Sequence, residues 1–486
     1  LSSSFQSWLL CLSQVRRQPK GAAQKRHNSE QNKHRAVQTL LKNMKFIWSS
    51  RAAISKIKFS LFTMCGNCGI LVLAGDSISS FANPNAPDAE KSVSLDRSLF
   101  LFLPPVDKAP LAEVELPVTH SLKLMQAMAQ LTELRGGQSA GLASVSWSDP
   151  SSTVLNLAKT IIPKRGRASD VMVSTWAKKA GRNQANKLKN PCLLLGHLRF
   201  ATASRNKVSD AHPHIWVPWR RDTVYVKNSS TNTLTKTNNL VGHVLTHNGD
   251  FDAVKIYNSL ITQSKFGIWL GYVLNAPSEI ASDSLKIAGY FDVFSTKFNW
   301  RTSARRAWVM RVATSELDAS SGLDIQLNPP NSAPTEELVA KWGDLFSSLF
   351  DASNLCDVNC QSNRSEFSKL AKALSASAVK KISDAKFSHG AQDWTTLCIS
   401  EFVRETIVGF FTADAFVTMG MFLRSARGSF GLAVSSVTEP GAIVLAASGQ
   451  PMCFAIDPQL DMVLYGSEVN AIAVPVQAHN PPMRYR

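Results

Sequence analysis

Short apolar runs of strand length, bounded by glycine or turn residues, stand towards both ends of this chain, with helical spacing gathered between them. Gly69-Ile70-Leu71-Val72-Leu73-Ala74-Gly75 is the first such run, followed by Ala140 to Val145, Cys192 to Leu198 and Val241 to Leu245. Phe430 to Val434, Ala442 to Ala447 and Met462 to Tyr465 close the series. Leu122, Met125, Met128, Ala129 and Leu131 recur at helical spacing, and Arg135-Gly136-Gly137 stops that helix. Leu338, Val339, Trp342, Leu345, Phe346, Leu349 and Phe350 predict an amphipathic helix opened by Pro334-Thr335-Glu336-Glu337. Phe367, Leu370, Leu374 and Ala378 predict another. Such an order implies a layered α+β fold. Asn228 to Asn239 reads as a loose loop, and His247-Asn248-Gly249-Asp250 as a turn.

Charge narrows the function classes. The net charge is +17 over 486 residues, but residues 1–63 carry a net of +11 and residues 164–190 a net of +7. Everything else sums to −1, so no basic face is woven through the fold, and a nucleic-acid partner is not expected. Trp300 to Arg311 mixes arginine with tryptophan and reads as a solvated helix face. No run of 18 apolar residues lacks a polar break; Thr406 to Leu423 carries Asp414 and reads as buried core, so a membrane partner is not expected either. Residues 1–63 form a basic leader, expected to be disordered or absent from the mature protein. It resembles an organellar transit peptide or translated sequence upstream of a start at Met64.

The eight cysteines, at 11, 65, 68, 192, 356, 360, 398 and 453, are too sparse for a disulfide scaffold, so reduced thiols are the expectation. Met64-Cys65-Gly66 is the most informative tripeptide. Trimming of the methionine leaves a cysteine whose own α-amine, with a pKa of about 8, can serve as base for its thiol. Cys65-Gly66-Asn67-Cys68 also admits a redox pair or half a zinc site, although no convincing second pair completes four ligands.

Met64-Cys65-Gly66-Asn67-Cys68-Gly69-Ile70 is one of an ordered series of motifs. Arg135-Gly136-Gly137-Gln138-Ser139-Ala140-Gly141-Leu142, Gly196-His197-Leu198-Arg199-Phe200-Ala201-Thr202, His212-Pro213-His214, His247-Asn248-Gly249 and Ser282-Asp283-Ser284 follow in turn. Arg427-Gly428-Ser429-Phe430-Gly431, Ser448-Gly449-Gln450-Pro451 and Tyr465-Gly466-Ser467-Glu468 complete it. The series resembles the class II glutamine amidotransferases, whose glutaminase domains are N-terminal-nucleophile hydrolases. It covers roughly 65–145, 192–290 and 424–472, and His212-Pro213-His214 resembles the glutamine:fructose-6-phosphate aminotransferase branch. The segment departs from that branch at Gln138, Phe200 and Ala203-Ser204, which bear on loop closure.

The resemblance implies a four-layer αββα sandwich over residues 64–474, enlarged by insertions near 146–190, 216–239 and 295–423, with 475–486 as a tail. It implies Cys65 as nucleophile towards the glutamine side-chain amide, and Asn248 and Gly249 as oxyanion donors. Arg199 would hold the substrate α-carboxylate, Asp283 its α-ammonium, Thr202 would lie on the closing loop and Arg135 near the nucleophile. L-glutamine is then the substrate and no cofactor is required. The ammonia serves an acceptor (synthase) domain not contained in these residues, in amino-sugar synthesis and in the cytoplasm, or an organelle if the leader is a transit peptide. His197, His212 and His214 read as hydrogen-bonded structural histidines, because this chemistry needs no imidazole. Two other readings stand beside it: a non-catalytic relative of the fold used for binding or regulation, and a Cys65/Cys68 redox or zinc protein.

Overall fold

The computed structural model describes residues 66–72, 118–147, 153–163, 166–180, 192–200, 207–216, 220–227, 233–256, 259–274, 282–310, 334–353, 364–384, 396–457 and 462–473. In chain order these form β1 (Gly66–Val72), α1 (Val118–Thr132), β2 (Ser139–Ser146), β3 (Val154–Ile161), α2 (Ala168–Ala180), β4 (Cys192–Arg199) and β5 (His214–Ile215). Then come β6 (Arg220–Lys227), β7 (Leu234–Val241), β8 (His243–Ile256), β9 (Ser259–Thr262), α3 (Gln263–Val273) and α4 (Asp283–Phe294). Helices α5 (Trp300–Trp308), α6 (Glu336–Ala352), α7 (Arg364–Asp384), α8 (Thr396–Thr412) and α9 (Ala415–Ser425) follow. The last strands are β10 (Ala426–Ser436), β11 (Val444–Ser448), β12 (Cys453–Asp457) and β13 (Met462–Gly466).

Two antiparallel sheets hold the molecule together. One has six strands in the order β12-β13-β1-β4-β2-β3, and the other runs β11-β10-β8-β5 with β9 also pairing β8. Successive side chains of a strand point to opposite faces, so each central strand feeds two cores. In β1, Cys68 and Ile70 join an apolar cluster with α1 and α2, whereas Leu71 packs with Val244 of β8 and Ala433 of β10. In the second sheet, Leu245, Leu432 and Val434 face the other way, into a large cluster with α3 to α9. Strands buried on both faces explain why these runs read as continuous apolar stretches rather than alternating ones.

Each segment read as an insertion contains regular structure. Residues 146–190 supply the edge strand β3 and helix α2, whose first turn is capped by Glu133, accepting from Ala168 N at 2.7 Å and Ser169 Oγ at 3.1 Å. Residues 216–239 hold most of the β6–β7 hairpin, fastened to α6 through Tyr225 Oη, which donates to Asp351 at 2.6 Å. The loose loop expected at 228–239 is therefore corrected over its second half, where Leu234 to Asn239 pair in register with β6. The alternation of Leu234, Thr235, Lys236, Thr237 and Asn238 suits a half-exposed strand.

Two further expectations are corrected. His247-Asn248-Gly249-Asp250 is no turn; it lies inside the 14-residue strand β8, paired with Leu432 to Ser429 of β10. The basic stretch at Trp300 is no solvated face either. Arg305 and Arg306 are buried with Trp300 and Trp308; Arg305 pairs with Glu336, and Arg306 stands 3.7 Å from Glu405. The apolar run around Asp414 is buried as expected, but it is two helices, α8 and α9, bent by 111° at that aspartate. Among the described residues, no single helix is long and apolar enough to cross a membrane.

Candidate active site

The start of β1, the end of β4 and the start of β2 lie side by side in one sheet. Gly66 pairs with Leu198, and Leu198 and Arg199 pair with Ala140 and Ser139. Gln138 N donates to Arg199 O at 3.1 Å, and the Arg199 side chain is buried. Cys65 and Thr202 lie outside the described residues. Arg135 forms an ion pair with Glu468, at the end of β13 and one residue beyond Ser467.

The second sheet brings Asn248 to the same place. Its carboxamide is wholly buried and is held from one end by His197 of β4 and from the other by Ser467, the residue after β13. His197 Nε2 lies 3.1 Å from Asn248 Oδ1 and 3.1 Å from His247 O. Asn248 Nδ2 donates to Ser467 Oγ. That hydroxyl also accepts from Asn67 N at 2.8 Å, while Asn67 Nδ2 donates to Gly431 O of β10 at 3.0 Å. Gly249 follows with φ of 102°, a backbone conformation that L side chains rarely adopt.

Asp283 opens α4, and its Oδ1 accepts from Ser284 N at 2.7 Å. Its Oδ2 lies 3.6 Å from His247 Nδ1. Ser284 Oγ is a hub, 3.0 Å from His247 Nδ1, 3.2 Å from His212 Nε2 and 3.2 Å from Asp283 Oδ1. Because His247 N donates to His212 Nδ1 at 3.2 Å, a neutral His212 carries its proton on Nε2 and donates to Ser284. The rings of His197 and His212 stack at 4.0 Å, and His214 meets His212 edge-on at 4.5 Å.

Burial of these imidazoles disfavours their charged forms. It pushes His197 down to about 3, despite the hydrogen bond to Asn248 Oδ1, and holds His212 and His214 well below the usual range. His247 is also lowered by burial, against the pull of Asp283 and Asp250. The column is neutral and, as the sequence predicted, hydrogen-bonded at His197 and His212, whereas the buried Nε2 of His214 has no hydrogen-bond partner among the described residues. It serves as scaffold and not as an acid–base pair at neutral pH.

Cys68 is wholly buried, and desolvation pushes its thiol up to about 12, which suppresses the thiolate that redox or zinc chemistry at Cys65/Cys68 would need. No group of three or more His, Cys, Asp or Glu side chains among the described residues is arranged to hold a metal ion. Of the residues proposed from sequence, Asn248, Gly249, Asp283, Arg199 and Arg135 are described. His197, His247, Ser284 and Ser467 link the elements that carry them. The sequence reading gave no role to Asn67, Ser284 or Ser467. Each sits inside a quoted motif, which was the only signal available, since a buried serine has no pattern of its own.

No protein-family model and no curated protein matches the chain. Among solved structures it is similar to a glutamine phosphoribosylpyrophosphate (PRPP) amidotransferase from B. subtilis complexed with ADP and GMP. The identity is 10% and the TM-score 0.26, over 85% of this chain and 44% of that one. It is also similar to the allosteric regulatory enzyme of purine biosynthesis, at 10% identity and a TM-score of 0.27, over 85% of this chain and 43% of that one. The chain spans less than half the length of either.

Proposed function

We propose that this chain is a glutaminase of the class II amidotransferase kind, with Cys65 as its nucleophile. One observation carries the reading. Motifs spread over some four hundred residues, from Asn67 to Ser467, meet in a single hydrogen-bonded network around the Asn248 carboxamide. In the sequence Cys65 stands two residues before Asn67, whose backbone N–H donates to Ser467 in that network. We read the three apolar cores as the interfaces of a four-layer αββα sandwich.

In the proposed reaction the Cys65 α-amine takes the thiol proton and the sulfur adds to the side-chain carbonyl carbon of glutamine. Asn248 Nδ2 and Gly249 N–H stabilise the oxyanion. Return of the proton to the leaving nitrogen breaks the C–N bond, giving ammonia and a thioester. Water then hydrolyses the thioester to glutamate and restores the thiol. Arg199 pairs with the substrate carboxylate and Asp283 with its ammonium, and Thr202 belongs to the segment that closes over it. The His212-Pro213-His214 motif supports fructose-6-phosphate as the acceptor, on a separate synthase domain, with amino-sugar synthesis in the cytoplasm as the setting.

The test is glutamine hydrolysis by protein expressed to begin at Cys65. Glutamate should be released, and a diazo-ketone analogue of glutamine should label Cys65. Cys65→Ala should abolish turnover while Cys68→Ala retains much of it. Labelling at Cys68, or full turnover by Cys65→Ala, sinks the assignment.

A further inference from the structure

We infer that His197 and Ser467 fix the Asn248 carboxamide in one orientation, gripping its oxygen and its nitrogen ends, and that both are positioning residues for glutamine hydrolysis. This rests on the reading above, in which Asn248 donates to the oxyanion. The orientation follows from a neighbour whose chemistry is unambiguous. His197 Nε2 is 3.1 Å from the backbone oxygen of His247, which can only accept, so Nε2 carries a proton. That same N–H faces the Asn248 side chain at 3.1 Å, so the atom it meets must be the oxygen. Rotating the amide by half a turn would set two buried donors against each other, which costs about 1–3 kcal/mol.

The nitrogen end is determined independently. Ser467 Oγ accepts from Asn67 N at 2.8 Å and lies 3.4 Å from Asn67 O, to which its own proton goes. The remaining lone pair takes one hydrogen of Asn248 Nδ2. The second hydrogen of that nitrogen meets no acceptor among the described residues. Asn248 belongs to one sheet, His197 to the other, and Ser467 directly follows β13 of that other sheet, so the amide is set as the sheets pack. Such an arrangement aims a donor before substrate arrives, and preorganisation of that kind lowers the barrier without tightening ground-state binding.

The experiment compares His197→Leu, His197→Gln and Ser467→Ala with the parent protein, all beginning at Cys65, by kcat and KM for glutamine and by thermal unfolding. Loss of the N–H in His197→Leu should lower kcat about tenfold to a hundredfold, with KM changed less than about twofold. His197→Gln keeps an N–H near the same place and should recover part of that loss. Ser467→Ala should lower kcat by a smaller factor, again at constant KM. If His197→Leu does not fold, the Gln and Ala variants decide the question. Folded variants with the parent's kcat, or with raised KM and unchanged kcat, overturn the inference and leave the glutaminase reading standing. A parent protein that hydrolyses no glutamine overturns the glutaminase reading, and the positioning role with it.

Discussion

Gly249 shows how much one residue at the site depends on its backbone. At φ 102° within β8, a Cβ there would lie 1.8 Å from the Ser429 carbonyl oxygen of the partner strand. Neither the conformation nor the contact can relax without moving β10. Gly249→Ala is therefore expected to cost about 2–4 kcal/mol in urea unfolding, and to lower kcat along with stability because Asn248 moves with it. Gly137, in another motif of the series, is the control: its nearest atom to a built Cβ is 3.6 Å away, and Gly137→Ala should stay within about 0.5 kcal/mol of the parent. Equal losses at the two positions would contradict the strain argument. Asn248→Ala separates binding from chemistry, with kcat falling by about 10²–10³ while KM holds. Arg199→Ala and Asp283→Ala should act oppositely, raising KM, because in the proposed reaction each pairs with a substrate charge that does not change. Asn248, Gly249, Arg199 and Asp283 could be nominated from the sequence because each sits in a short motif. Ser467 and Ser284 could not, because their roles exist only once strands remote in sequence are adjacent.

Elements were legible where local chemistry decided them and illegible where a distant partner did. Helix α6 begins where Pro334-Thr335-Glu336-Glu337 implied, with Thr335 Oγ1 accepting from Leu338 N. Helix α5 was misread because its arginines look like a solvated stripe until Glu336 and Glu405, far along the chain, are brought against them. The tetrapeptide at 247–250 was misread because a glycine with positive φ inside a strand carries the same letters as a hairpin turn. Asp414 was noted as a break in an apolar run, and the break has a cause. Its Oδ1 accepts from Val417 N at 2.8 Å, capping α9, while Oδ2 pairs with Lys297 at 3.2 Å. Asp414→Ala is expected to destabilise by about 1–2 kcal/mol, and Asp414→Asn by less, because asparagine keeps the capping oxygen and loses only the charge. Chemical denaturation of the two variants measures the order, and equal losses would show that the ion pair, absent from both, carries the effect and the cap adds nothing.

At the scale of the whole molecule, the packing of the two sheets commits the protein to a pH window. His197, His212, His214 and His247 are buried together, with His197 and His212 stacked and Asp283 standing 3.6 Å from His247. Asp283 and Asp250 pull His247 upward, while Arg199 adds to the lowering of His197 and His214, and Lys159 to that of His212 and His214. For a histidine whose folded pKa is depressed, the unfolded chain binds the proton first as pH falls. Stability is therefore full above the unfolded value of about 6.5 and is lost as pH drops below it. With His197 held at about 3, this one group removes about 2 kcal/mol between pH 7 and pH 5, and the other three act in the same direction. Urea midpoints measured at pH 7 and pH 5 should fall together with proton uptake on unfolding. His197→Gln, which has no proton to gain, should show a shallower fall than the parent. A parent midpoint unchanged between the two pH values would mean that the imidazoles are solvated or already charged at neutral pH. The donor direction assigned to His197 would then lose its neutral tautomer, although its contact with the His247 carbonyl would remain.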